Sequence, residues 1–303
     1  MAQTYPTRPV RLVVPYPPGG NVDIAVRVVG DKLQALLGQP FVVENKAGAG
    51  GMLAGEMVAK SPADGYTLLV SANGPLLFSP EIMSRRAYQW RRDFIAIASI
   101  NFTPIILEVN SALPVGSVED LFARARKAPG NLIMASPGAG TSNHLLSEML
   151  QARLGLKWTT VQYRGNAPAT NDLIAGHVQF GFDQISIALP FVTEGKLRAL
   201  AVASRERIPW LPDVPTFAEL GYPDVEALTF TGLFAPAGTS KEIISQLADA
   251  LTKVVADGQV VEKFAALGSQ ARAMTPADFT AYLEKEDRTW IAVIRAGNIK
   301  AEQ

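Results

Sequence analysis

The sequence predicts an α/β fold built from open sheets. Three units of strand, turn and helix follow one another between Val10 and Gly74, and a similar unit recurs after residue 132. This alternation is typical of sheets whose strands are connected through helices. The 303 residues correspond to roughly two domains at about 150 residues each, and an apolar content of 48% excludes bulk disorder.

The first unit begins with the near-continuous apolar run Val10–Val14, which is typical of a buried parallel strand. A helix should follow the turn at residues 16–21, because apolar residues recur there at the spacing of one helix face. These residues are Val22, Val26, Val29, Leu33 and Leu36. We expect Asn21 to cap this helix and Gly38 to end it.

The second and third units repeat the pattern. Phe41–Asn45 reads as a strand, and Gly48–Gly51 should open a helix that reaches about Lys60. Thr67–Ser71 is predicted to be a third strand that ends at the turn Ala72–Gly74.

The rest of the chain continues the alternation. Ser117 and Asp120 resemble a capping box, Gly155 should end the helix that follows the turn at residues 137–141, and Thr275 with Pro276 should start the last helix. From Lys241 onward the pattern is helical. Further strands are predicted at residues 104–109, 132–136, 159–163, 178–182, 197–203 and 227–235.

Composition and charge argue against several classes of protein. Lysine plus arginine and aspartate plus glutamate both number 28, so the net charge is zero and a nucleic-acid partner is not expected. The chain has no cysteine, which excludes disulfides, thiol catalysis and cysteine metal sites. No apolar run approaches the ~18 residues of a membrane span, and no secretory leader pattern is present. Either the protein is cytoplasmic or a leader has been removed.

Common catalytic signatures are also missing. The glycines at residues 48–51 and 138–140 lack the G-x-G-x-x-G spacing, no G-K-[ST] occurs, and Ser136 stands outside a G-x-S-x-G elbow. The two histidines, His144 and His177, have no metal-ligand spacing. We therefore expect no metal, no cofactor and no enzymatic activity.

Glycine turns that open helices remain as candidate sites. Such a turn exposes unpaired N–H groups at the positive end of the helix dipole, and glycine lets a ligand approach the backbone. An anion can bind there without lysine or arginine. The turns Gly19–Gly20, Gly50–Gly51 and Gly138–Gly140 qualify, and the likeness between the first and the last suggests two similarly built lobes.

Five ordered motifs resemble those of a known family. They lie at residues 14–23 (VPYPPGGNVD), 43–51 (VENKAGAGG), 136–145 (SPGAGTSNHL), 161–165 (VQYRG) with its downstream Pro168 and Asp172, and 197–204 with 212–216. The resemblance as a whole runs from about Tyr5 to the last helix. The chain is similar in these motifs to the periplasmic solute receptors of tripartite tricarboxylate transporters, the Bug receptors.

The resemblance implies a two-lobe, type II periplasmic binding protein of the Venus-flytrap kind, with open sheets joined by two crossing segments. It implies export, capture of a small organic carboxylate and delivery to membrane permease subunits. We expect a monomer whose first lobe comprises residues 1–103 and 227–303 and whose second comprises residues 104–226. An α/β enzyme acting on a small carboxylate through His144 and Asp183 is the alternative.

The resemblance also indicates which residues line the ligand site. On the first lobe these are Tyr16, Gly19, Gly20, Asn21, Gly51, Ser71 and Asn73. On the second they are Ser136, Gly138, Thr141, Ser142, His144, Arg164, Asp183 and Gln184. The turns Gly19–Gly20 and Ser136–Thr141 are expected to face each other.

Several of these residues have a second interpretation. His144 suits a packing role as well as a ligand contact. Arg164 suits a position in a solvated loop as well as a bidentate hydrogen bond to a carboxylate. Asp183 would repel an anion unless it orients a donor or water, whereas a ligand with an amine would use it directly. The basic stretch Arg85–Arg92, which contains Tyr88 and Trp90, has no assigned role.

Overall fold

The computed structural model describes residues 5–83 and 86–300 and divides them into two units. The first unit takes the chain up to Phe102 together with Phe230–Ala292. The second takes Thr103–Thr229 together with the chain from Val293 onward. The lobes expected from the sequence, residues 1–103 with 227–303 and residues 104–226, stay a prediction, as does any movement between them.

The sheet of the first unit combines three parallel strands with antiparallel neighbours. Strand β1 pairs in parallel with β2 on one side and β3 on the other, and β9 joins β3 in antiparallel register, with Val70 opposite Leu233. The order is β2-β1-β3-β9-β4, and the short β10 also pairs with β4. The strands are β1 (Val10–Val14), β2 (Phe41–Asn45), β3 (Thr67–Ser71), β4 (Phe94–Asn110), β9 (Leu228–Pro236) and β10 (Gln270–Ala271).

Apolar helix faces cover this sheet. Val26, Val29 and Leu33 of α1 pack in one core cluster with Leu247 and Leu251 of α9, because both helices carry apolar residues at helical spacing. The helices are α1 (Asn21–Leu37), α2 (Met52–Ala59), α3 (Ser79–Ile82), α4 (Trp90–Asp93), α9 (Lys241–Val255), α10 (Gly258–Ala266) and α11 (Pro276–Ala296), of which α11 ends in the second unit.

The sheet of the second unit has the order β4-β7-β5-β6, and β8 also pairs with β4. Strand β5 is parallel to both β6 and β7, while β4 is antiparallel to β7 and to β8. The additional strands are β5 (Ile133–Ser136), β6 (Thr159–Gln162), β7 (Phe180–Gln184) and β8 (Leu197–Val202). The helices are α5 (Val118–Lys127), α6 (Ser142–Leu154), α7 (Asn166–Ala175) and α8 (Ile185–Thr193).

Most predicted elements are confirmed. Strands β1, β2 and β3 have the predicted bounds, and Gly38 and Gly155 end α1 and α6 in the left-handed conformation. The Ser117 hydroxyl oxygen accepts a hydrogen bond from the Asp120 N–H at 3.1 Å, as a capping box requires. No helix in the described ranges combines the length and apolar character of a membrane span.

Three expectations were wrong. Asn21 is the first helical residue of α1 and not its cap, because Gly20 takes the extended N-cap conformation. Strand β4 begins ten residues before the predicted Pro104, at Phe94, since the whole run is buried and extended. Strand β7 begins at Phe180 and not at Val178.

Gly55 and Gly30 offer a matched test of packing, since both lie inside helices. A Cβ at Gly55 would overlap the buried Tyr88 ring, whereas at Gly30 the nearest heavy atom would be the Phe41 carbonyl oxygen at 3.9 Å. We expect Gly55→Ala to lower the free energy of unfolding by about 1–3 kcal/mol and Gly30→Ala to raise it by up to ~1 kcal/mol. Chemical denaturation measures both; equal effects of the two variants would contradict this packing.

Candidate functional site

In each unit, three strands end at one edge of a sheet and lead into turns that begin helical segments. In the first unit β1, β2 and β3 are mutually parallel, so their carboxyl ends lie at a common edge, where α1, α2 and the helical turn Gly74–Phe78 begin. In the second unit the parallel strands β5, β6 and β7 likewise end at a common edge, where α6, α7 and α8 begin. Ligands of open α/β sheets bind at such edges.

Most helices at these edges start differently from the other helices of eight or more residues. No side chain caps the N-termini of α1, α2, α7 and α8, and α6 alone among the edge helices of eight or more residues is capped, by Thr141. Away from the edges, α5, α9 and α10 are capped by Ser117, Ser240 and Asp257. The edge helices therefore leave the N–H groups of their first turn available to another acceptor.

Asp23 holds the Gly19–Gly20 turn in the first unit. Its carboxylate accepts hydrogen bonds from the Gly19 N–H at 2.9 Å, Arg27 Nε at 3.0 Å and Asn45 Nδ2 at 2.9 Å. Burial acts to raise the pKa of Asp23, but these hydrogen bonds outweigh it and hold the pKa below its ordinary value. Gly19 has a φ of +83°, which glycine adopts without strain.

The remaining first-unit candidates are tightly packed. A Cβ at Gly51 would lie 2.6 Å from Pro75 Cγ, so only glycine fits there. Asn73 Oδ1 accepts a hydrogen bond from the Phe230 N–H at 3.0 Å, and its Nδ2 donates to Glu286 Oε2 at 3.1 Å. Asn73 thus ties the end of β3 to β9 and α11. Ser71 is fully buried, and Tyr16 is half-buried, with its carbonyl bonded to Asn45.

Thr141 and His144 hold the glycine turn of the second unit. The Thr141 hydroxyl donates to the Gly138 carbonyl at 2.8 Å and accepts from the His144 N–H at 3.3 Å. The Gly140 N–H donates to His144 Nδ1 at 3.3 Å, which places the ring proton on Nε2. Burial lowers the pKa of His144 to about 4, so the imidazole is neutral at neutral pH.

A buried polar network joins the starts of α6, α7 and α8. Asn166 Nδ2 donates to Asp183 Oδ1 at 2.6 Å and to Gln184 Oε1 at 2.8 Å. Gln184 Nε2 donates to Asn143 Oδ1 at 2.9 Å and to Thr229 Oγ1 at 3.0 Å. Side chains from all three helix starts therefore hold one another in fixed positions.

Glu108 lies beside this network on β4. It stands opposite Gly181 on one neighbouring strand and Ala199 on the other, and these small residues leave space for its side chain. Its Oε2 is buried without a hydrogen-bond partner in the described part of the chain. Burial, followed by the charge of Asp183, raises the pKa of Glu108 well above its ordinary value, so Glu108 is protonated. Burial also raises the pKa of Asp183 to about 6 against the opposing effect of its hydrogen bonds.

The basic stretch has a structural role. Arg85 lies outside the described residues. The other arginines form ion pairs: Arg86 with Glu81, Arg91 with Asp287 and Arg92 with Asp93. Tyr88 and Trp90 are buried, and the Tyr88 hydroxyl donates to the Pro75 carbonyl. The stretch therefore packs against α2 and α11 instead of presenting a free cationic surface.

The predicted site residues fall into two groups, one on each unit, and their contact with ligand stays a prediction. Within the second unit, Ser136, Gly138, Thr141, Ser142 and His144 lie on one turn and helix start. Asp183 and Gln184 join them through the network, while Arg164 is exposed.

Four residues of this region were missed from the sequence. They are Glu108, Asn143, Asn166 and Thr170. Glu108 could have been found as the one charged residue in the otherwise uncharged run 94–109. The start of α7 could have been found from Gly165–Asn166 with Pro168 in the first turn.

The site offers hydrogen-bond donors and no metal ligands. No group of three or more acidic, histidine or cysteine side chains within the described ranges could hold a metal ion. Uncapped helix starts and neutral side chains favour an anion with several acceptor oxygens.

Comparison with known proteins agrees with this chemistry. Residues 25–299 match the family described as Tripartite tricarboxylate transporter family receptor. BugT of Bordetella pertussis is 37% identical over 300 residues, which cover 99% of this chain and 92% of BugT. The structure of R. palustris Rpa4515 with adipate is 33% identical, with a TM-score of 0.94 and coverage of 98% of this chain and 99% of that one. MatC (Rpa3494) from Rhodopseudomonas palustris with bound malate is 31% identical, with a TM-score of 0.90 and coverage of 96% of this chain and 100% of that one. These likenesses confirm the predicted fold of a periplasmic solute-binding protein.

Replacing Glu108 by glutamine should change how the free energy of unfolding depends on pH. In the unfolded chain Glu108 ionises once the pH exceeds the ordinary pKa of glutamate, whereas in the folded protein it stays protonated. The wild type therefore loses stability as the pH rises. We expect the free energy of unfolding of the variant, relative to the wild type, to increase with pH by at most about 1.4 kcal/mol per pH unit.

Denaturation between about pH 4.5 and pH 8 measures this slope. Glu119→Gln is the control, because Glu119 is exposed beside Arg126 and its substitution removes no buried carboxyl group. A constant difference between Glu108→Gln and the wild type across this range would contradict the protonated state of Glu108.

Proposed function

Because this chain belongs to the tripartite tricarboxylate transporter receptors, the Bug receptors, we propose that it binds a small organic carboxylate outside the cytoplasm and delivers it to the membrane permease of such a transporter. The observation that carries the proposal is the set of uncapped helix starts at the parallel-strand edges, α1 and α2 in one unit and α7 and α8 in the other. Two relatives, Rpa4515 and MatC, were solved with the dicarboxylates adipate and malate.

The donors at these helix starts suit a carboxylate. Each open N–H points along its helix axis at the positive end of the dipole, and a carboxylate has two oxygens that can accept several such bonds. Backbone donors keep their proton at every physiological pH. Binding therefore requires no lysine, and the neutral His144 adds no charge.

Ser142 is the side chain best placed to contact the ligand directly. It is the first residue of α6, and no hydrogen bond engages its hydroxyl within the described ranges. The Thr141 hydroxyl, in contrast, already donates its proton to the Gly138 carbonyl, so Thr141 shapes the turn. Ser142 then donates to the carboxylate from the sheet edge at which the uncapped starts of α7 and α8 also lie.

Carboxylate binding is tested directly by calorimetry. We expect the purified chain to bind at least one organic acid from a panel of mono-, di- and tricarboxylates and aromatic acids with a Kd of about 1 μM or lower. Incubation of the bound acid with the protein, followed by mass spectrometry, should recover it unchanged. Turnover of the acid would favour the enzyme alternative, and binding of neutral sugars or cations alone would refute the carboxylate site.

Ser142→Ala and Ser147→Ala form a matched pair on α6. Removal of the Ser142 hydroxyl should leave a ligand oxygen unpaired and weaken binding about 5- to 150-fold, with an unchanged unfolding midpoint. Ser147 Oγ accepts a hydrogen bond from Trp158 Nε1 at 2.9 Å in the core, so Ser147→Ala should lower the midpoint and leave the Kd unchanged. A Kd for Ser142→Ala within twofold of the wild type would remove Ser142 from the site.

A further inference from the structure

Two carboxyl groups lie next to each other in the interior of the second unit. Asp183 and Glu108 are on neighbouring antiparallel strands, where Asp183 stands opposite Ile106 and Glu108 stands opposite Gly181. Residues two apart on a strand point to the same face, so the two carboxyl groups are diagonal neighbours on one face of the sheet. Asp183 is 5% exposed and Glu108 is 1% exposed. Two such groups cannot both be ionised at neutral pH without a cation between them.

Neither carboxyl group has a cation as its partner within the described ranges. Arg198 of β8 stands opposite Val109, so it lies on the other face of the sheet, and its Nη1 donates to the Val115 carbonyl at 2.7 Å. Arg164, two residues before α7, is exposed. The pair therefore carries a single negative charge, which hydrogen bonds alone stabilise.

The helices beside this pair contribute few ionisable side chains. Asp172 is the one ionisable residue of α7, where it accepts from the Tyr163 hydroxyl at 2.6 Å with a side chain that is 40% exposed, and α8 has none. At the start of α6, burial lowers the pKa of His144 to about 4, so its ring is neutral. Of these groups, only Asp183 changes its charge near neutral pH, because burial raises its pKa to about 6.

Thr170 gives the Asp183 carboxylate a place for one further proton. The Thr170 hydroxyl oxygen lies 3.0 Å from Asp183 Oδ2 and 3.0 Å from the Asn166 carbonyl oxygen, but it has one proton for these two acceptors. The hydroxyl donates to Oδ2 when Asp183 is ionised. When Oδ2 carries a proton, Oδ2 donates to the hydroxyl, whose own proton turns to the Asn166 carbonyl. Asp183 Oδ1 keeps its two donors throughout, so no heavy atom has to move.

This place for a proton lies at the helix starts that the proposed function assigns to the ligand. Asp183 is the last residue but one of β7, and its donors are the side chain of Asn166, the first residue of α7, and the N–H of Gln184, which precedes α8. A ligand carboxylate bound there brings a second negative charge close to ionised Asp183 in a region of low dielectric constant. Such a charge favours the protonated form of Asp183.

We propose that this receptor binds its carboxylate together with one proton, which is held on Asp183 and hydrogen-bonded to Thr170. The inference rests on the proposed carboxylate-binding function and deepens it, since it adds a second ligand, the proton, to the same site. Solvent supplies the proton when the carboxylate binds and takes it back when the carboxylate leaves. Because the two equilibria are reciprocal, a lower pH tightens carboxylate binding and a higher pH weakens it.

Calorimetry counts these protons. The probes are adipate, malate, citrate and benzoate, and the one that binds most tightly is titrated into the wild-type chain at neutral pH in HEPES and in imidazole, two buffers with different ionisation enthalpies. The difference between the two heats gives the protons exchanged, after the ionisation of the probe itself has been subtracted. We expect an uptake of at least about 0.3 proton per ligand and a Kd that rises at least about threefold between about pH 6 and pH 8.

Asp183→Asn and Glu108→Gln form a matched pair of buried carboxyl-to-amide substitutions. The amide of Asp183→Asn donates to Thr170 as the protonated carboxyl would, but it takes up no proton, so the uptake should fall below about a third of the wild-type value and the Kd should lose its pH dependence. Glu108 is protonated with and without ligand, so Glu108→Gln should keep the uptake.

A second pair tests the acceptor of the proton. Thr170→Val removes the hydroxyl that accepts from protonated Asp183, so the uptake and the pH dependence of the Kd should both decrease. The Thr193 hydroxyl donates only to the Leu189 carbonyl, at 2.9 Å within α8, so Thr193→Val should leave both quantities as in the wild type.

An uptake below about 0.3 proton in the wild type overturns this inference and leaves carboxylate binding intact. An uptake that persists in Asp183→Asn overturns it as well, because another group such as His144 then takes the proton. Loss of the uptake in Glu108→Gln but not in Asp183→Asn would assign the proton to Glu108, with the same consequence. If neither the probes nor any other acid binds, the proposed function itself fails and this inference fails with it.

Discussion

Parallel strand pairing is the constraint on which the rest of this molecule depends. Parallel neighbours must be connected by crossovers, and each crossover helix has to start where a strand has just ended. Three such strands in each unit therefore gather helix starts along one sheet edge. The N–H groups of these starts need acceptors, and most of the edge helices lack the side-chain caps that serve α5, α9 and α10.

The N–H donors at these helix starts stay accessible only if neighbouring side chains hold the turns in place. The turns must hold their shape without a ligand, and buried acids serve this purpose: Asp23 fixes Gly19, and Asp183 fixes Asn166 and Gln184. Burying Asp183 next to Glu108 is tolerated because Glu108 keeps its proton, so only one negative charge lies in this part of the interior. The hydrogen bonds that hold these turns are accepted by the carboxylate oxygens of Asp23 and Asp183.

The sequence predicted the elements whose pattern is local. Strand β1 and helix α1 were predictable because a continuous apolar run and a regular apolar spacing each have one simple structural explanation. Helix α8 was missed because Ile185–Val192 is apolar apart from Ser186 and contains Pro190, which conceals the helical period. The role of Asn73 was not predictable either, since its partners Phe230 and Glu286 lie more than 150 residues away in the chain. The glycine turns were identified from their position between a strand and a helix, and the family motifs indicated the residues that line the ligand site, but the hydrogen bonds that Asp183 accepts depend on tertiary structure alone.

The proposed use of backbone N–H groups for ligand binding has a consequence for how such receptors diversify. A side-chain donor disappears with a single substitution, whereas a main-chain donor persists through any substitution other than proline. Sequence drift at these helix starts therefore alters the shape of the surface while the number of donors is retained. A scaffold of this kind can exchange one acid for another in small steps, in keeping with the adipate and malate seen in two relatives that share about a third of their residues with this chain.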